Sequence, residues 1–151
     1  MTTYSDRPAV RRRIVEVLAA APGLEAVQVT YSYPQAATRN EAIWTGGVEG
    51  TQDQVDFGTP RPGRDDEWQL GLAVAVSGRA DEQAADARCQ ELIAAVCEAL
   101  FAGDRLGTAW KNVALRPGKL DGPNGGRNAP HEPAFSVAEF AITIHVPLRG
   151  A

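Results

Sequence analysis

From Trp68 to Val76, apolar side chains fall on every second residue; a few residues later, from Asp81, their spacing lengthens to three and four. The first pattern is that of a strand and the second that of a helix. Trp68, Leu70, Leu72, Val74 and Val76 share one strand face, and Gln69, Gly71, Ala73, Ala75 and Ser77 share the other. The second face is small rather than charged, so something can pack on it as well. The helix is expected over residues 81–102, with Ala85, Cys89, Leu92, Ile93, Val96 and Leu100 as its apolar stripe. Asp81, Glu82 and Asp86 suit its positive N-terminal end, and Gly103-Asp104 closes it.

The rest of the chain supplies more of the same two periods. Asp6 can cap a first helix that carries Pro8 in its first turn, where the missing N–H costs nothing. Val10, Ile14, Val17, Leu18 and Ala21 form its stripe, and Pro22-Gly23 ends it. From Glu25 to Tyr33 the period is two, and Pro34 stops that strand. Further strands are expected over residues 41–48, 52–57, 110–115 and 136–146. Residues 58–66 read as a charged Pro/Gly loop, and residues 116–133, rich in glycine and proline, as a long irregular loop. Short turns between neighbouring strands imply an α+β fold, a mostly antiparallel sheet with two helices packed on one face.

With 151 residues, the chain fits one domain spanning 1–151 and can bury a core without disulfides. Its net charge of −4 makes it a poor general nucleic-acid binder. Cys89 and Cys97, two turns apart along one helix, are separated by about 12 Å, too far for a disulfide. They read as reduced apolar side chains. The polar stretch before the first helix offers no signal peptide, and no run is long and apolar enough for a membrane span, so a soluble protein is expected.

A catalytic set is hard to assemble from this sequence. His131 and His145 have no metal-ligand spacing around them, and Asp53, Asp56, Asp65, Asp66 and Glu67 read as solvated or paired with Arg61 and Arg64. The stretch Gly122–Arg127 lacks the residues of a phosphate-binding loop and reads as a mobile arm. No enzyme activity, cofactor or metal is expected. Arg7, Arg11, Arg12 and Arg13 form the densest basic cluster, either a solvated helix face or a contact to an acidic neighbour. Trp44, Trp68 and Trp110 are expected in the core, and an exposed one would be an interface anchor.

Two phrases carry a resemblance. RRRIVEVLAAAPGLEAVQVTYSYP is a basic helix, a Pro-Gly stop and a strand closed by proline. EWQLGLAVAVSGRADEQAADARCQELIAAVCEAL is a long strand, a turn with an acidic cap and a long helix. With the strand after Leu106-Gly107 and the final apolar strand, the chain resembles the tail terminator (tail completion) proteins of siphophages. The likeness covers nearly the whole chain as a pattern of elements without an invariant motif. It implies a homohexameric ring that caps the head-proximal end of the tail tube, stops polymerisation of the major tail tube protein and joins the tail to the head-tail connector. The implied setting is the virion neck, reached from the host cytoplasm, with DNA passing through the lumen without sequence-specific binding. Candidate subunit or tube contacts are Arg11, Arg12, Arg61, Arg64, Asp65, Asp66 and Arg127. Other readings are another neck protein, a tail tube subunit, or a small ligand-binding α+β domain.

Overall fold

The structure is a computed structural model that describes residues 6–35, 39–49, 65–101 and 106–147. The expected strand over residues 52–57, and Arg61 and Arg64 with it, lie outside the described residues. The elements are α1 (Arg7–Ala19), β1 (Gln28–Thr30), β2 (Glu41–Glu49), β3 (Asp65–Arg79), α2 (Glu82–Phe101), a 3-10 turn (Thr108–Trp110), β4 (Ala114–Gly126) and β5 (Ala134–Pro147). The five strands form one sheet in the order β1-β2-β3-β5-β4. All pairings are antiparallel except β1 with β2. The fold is therefore α+β, a mostly antiparallel sheet with both helices on one face.

Local chemistry sets the helix starts. The Asp6 carboxylate accepts from Ala9 N at 3.2 Å, and the Asp81 carboxylate accepts from Ala84 N at 2.7 Å, each satisfying a donor that the helix itself leaves open. After α1 the chain makes three successive tight turns, with Ala21 N, Leu24 N and Val27 N donating to Leu18, Ala21 and Leu24 carbonyls. Gly23 takes a positive φ of 87° among them. These turns shorten the expected strand at Glu25–Tyr33 to three residues.

The core lies between the helices and the face of β3 predicted to be apolar. Val10, Ile14 and Leu18 of α1 and Cys89, Leu92, Val96 and Leu100 of α2 cover Trp68, Leu70, Leu72 and Val74. In β5, Ile144, Ile142, Phe140 and Ala138 stand opposite those four residues in register. Four buried polar side chains on the same face tie the sheet to the helices. Asp66 accepts from Arg7, Thr45 from Arg11 and Glu41 from Arg88, and Ser136 donates to Asp86. Each of these four groups is thus satisfied, and each bond fixes where a helix lies along the sheet.

Three expectations are corrected here. Residues 116–133 are not a loop: through Gly126 they belong to β4, paired with β5. Proline is tolerated there because β4 is an edge strand, and its irregular register falls between Pro117 and Leu120 and between Asp121 and Asn124. Gly122–Arg127 is consequently not a free arm. Arg127 donates to Ala80 O at 2.9 Å and Pro130 O at 3.1 Å, fastening the turn after β4 to the end of β3. Of the strand expected over residues 110–115 only Ala114 and Leu115 are strand, as the start of β4; Trp110 ends a 3-10 turn and residues 111–113 are a turn.

At Gly118, β4 runs close against β5. A Cβ there would stand 2.8 Å from the Ala141 carbonyl oxygen and 3.0 Å from its Cβ. Gly118→Ala should therefore force the two backbones apart and cost about 1–3 kcal/mol, the range for overpacking. Urea unfolding followed by circular dichroism measures it.

Candidate assembly interface

No described element covers the other face of the sheet. The register sets its side chains in rows across the strands. One row runs from Trp44 through Ala73 and Glu139 to Asp121, and the next from Gly46 through Gly71 to Ala141. Gly118 continues the second row, since its missing Cβ would meet that of Ala141. Beyond it lie Gln69, Thr143 and Arg116. Because the middle row has almost no side chains, it is a valley between two ridges. Its volume is about 330 Å³, bounded by Trp44, Gln69 and Glu139. Strands spaced about 4.8 Å apart carry it over roughly 14 Å across four strands.

One ridge of the valley is aromatic at its β2 end and acidic at its β4 end. Tyr33, 70% exposed, stands edge-on to Trp44 with ring centroids 5.1 Å apart. Such a pair keeps a rigid apolar surface in contact with water. Glu139 and Asp121 are exposed cross-strand neighbours of like charge, an arrangement that weakens a sheet unless something neutralises it. Asn124 Nδ2 donates to Asp121 at 3.4 Å, and no basic side chain among the described residues pairs with either carboxylate.

The residues singled out from sequence are distributed differently. Arg11 turns inward: it donates to Thr45 Oγ1 at 2.7 Å, Tyr31 O at 2.6 Å and Thr45 O at 3.0 Å, with its guanidinium 3.8 Å from the centre of the Tyr31 ring. Asp66 is buried against Arg7 at 2.7 Å. Asp65 lies 2.7 Å from His145 Nε2. Arg127 is held by the turn it fastens. Arg12, by contrast, is exposed on the outer stripe of α1. Of the tryptophans, Trp68 is fully buried, Trp110 packs against the core, and Trp44 belongs to the open face. The small second face of β3 was visible in the sequence. Alternation also puts Ala141 on the second face of β5; missed were Gly118, which extends the valley, and the acidic pair, which only the β4–β5 register brings together.

Reactive groups are quiet here. Burial pushes the Cys89 and Cys97 thiols up, so both stay protonated and poorly nucleophilic at neutral pH. Among the described residues, no three His, Cys, Asp or Glu side chains are grouped to hold a metal. No described helix is long and apolar enough to cross a membrane. In comparisons with known proteins, no family model matches the chain, and no curated protein matches it.

Proposed function

We propose that this chain is a structural virion subunit, a siphophage tail terminator, which forms a ring at the head-proximal end of the tail tube. In this role it ends polymerisation of the tube protein and presents a surface to the head-tail connector, while DNA passes through the lumen. Two things support the reading: the resemblance carried by the helix–strand phrases, and the two-sided build of the sheet. The observation that matters most is the open face. One side of the sheet is sealed by helices, whereas the other offers a shaped valley with an aromatic wall. A ring subunit needs such a second surface, distinct from its first.

The test is light scattering of the purified chain, then electron microscopy after mixing with tail tubes. Rings bound at one tube end are expected. Long tubes formed by the chain alone would make it a tube subunit instead. A monomer indifferent to tubes would overturn the reading and return the chain to the ligand-binding class.

A further inference from the structure

The valley and α1 lie on opposite sides of the same sheet, and they match each other. The outer face of α1 carries Pro8, Arg12, Glu16 and Ala19, all exposed, with Val15 half-buried at its margin. Glu16 is paired with Arg13 at 3.1 Å, so the cation this face presents without a partner among the described residues is Arg12, at its middle. The valley is a slim channel with the carboxylates Glu139 and Asp121 along one ridge, neither paired with a basic side chain among the described residues, and Gln69, Thr143 and Arg116 along the other. Resting on the ring-forming reading, we propose that the valley of one copy receives the outer stripe of α1 from the next copy, with Arg12 set against Glu139 and Asp121.

Two properties follow from the placement. First, donor and acceptor surfaces are different patches on opposite sides of one subunit, so a single contact leaves one of each unsatisfied. Association is therefore head-to-tail, and it closes into a ring or continues as a filament; it does not end as a two-fold dimer. Second, the arginine relieves the like-charge repulsion between β4 and β5, so the acidic pair is more favourable in the assembly than in the free subunit.

Four variants of the full chain test this, read by light scattering and sedimentation across a concentration series. Glu139→Arg and Arg12→Glu should each weaken association about tenfold or more, since each sets like charges against one another across the contact. The double variant should recover association, because the pair is restored with its polarity reversed. Gly46→Leu supplies the steric arm. Nothing lies within 4 Å of a Cβ at Gly46, so the fold should accept the side chain, as circular dichroism would verify, while the valley is filled and the assembly lost. Oligomers that form normally in Glu139→Arg and Gly46→Leu would overturn the inference and leave the ring reading standing. Failure of the double variant to recover would remove Arg12 as the partner. A Gly46→Leu ring of normal mass that no longer binds tube ends would assign the valley to the tube protein instead. A wild-type chain that stays monomeric at every concentration and ignores tubes would overturn both readings together.

Discussion

Trp68→Ala should lower the free energy of unfolding by about 3–5 kcal/mol, a large share of the roughly 5–15 kcal/mol available to a domain. Trp68 is fully buried, in register with Ile144, and Arg7 lies 5.5 Å from the centre of its ring while holding Asp66. Removing the indole leaves a cavity beneath α1 and takes the aromatic face away from the arginine. Trp68→Phe should behave quite differently. Among the described residues the indole N–H finds no hydrogen-bond acceptor, and an orphaned buried donor costs about 1–3 kcal/mol. Phenylalanine discards that donor while keeping an aromatic ring over the same site. Its net cost should stay below about 2 kcal/mol, the lost volume being partly offset. Urea denaturation of both variants gives the comparison. A Trp68→Phe loss above about 2 kcal/mol would mean that the orphaned donor carries little penalty.

Glu41→Ala should cost about 1–3 kcal/mol and should flatten the acid limb of the stability profile. The Glu41 carboxylate is buried at the edge of the core and bound by Arg88 at 2.6 and 3.0 Å and by Arg79 at 2.7 Å. Hydrogen bonding from Arg88 leads the lowering of its pKa below 4.5, and Arg79 adds to it against the opposing effect of burial. The two arginines are partly exposed, 26% and 41%, so they can recover water when the carboxylate goes. That keeps the loss below what a fully buried pair would show. The sign of the pH effect follows from the depressed pKa. The stabilisation is complete above the unfolded-state value and disappears as pH falls through the lower folded-state value. Wild type should thus lose stability on acidification more steeply than Glu41→Ala, as urea midpoints across that range would reveal.

The elements with strong periodicity were legible. α1, β3, α2 and β5 lie close to where the apolar spacing put them, because each buries one continuous stripe and little else competes. β4 was not legible, since glycine and proline suppress any alternation and the strand is held by its neighbour β5 instead of by its own side-chain pattern. Strand β1 was overestimated because Leu24 and Val27, which fit a strand, are used as plugs in successive turns under α1. The open face was half visible. Small residues on β3 announced it, but the acidic pair depends on a register across two irregularities that no local signal specifies. Likewise the inward turn of Arg11 reflects acceptors at Tyr31 and Thr45, far along the chain from it.

The order of strands in space has a consequence for how the protein is made. β5, the last strand in the chain order, lies between β3 and β4 in the sheet. At a synthesis rate of about 5–20 residues per second, β3 and α2 leave the ribosome seconds before the strand that joins them to β4. Until it arrives, β3 exposes a long unpaired edge and β4 has nothing to pair with. The nascent chain therefore cannot settle its sheet by zipping forward from its beginning, and a chaperone that shields that edge should raise the yield of folded protein.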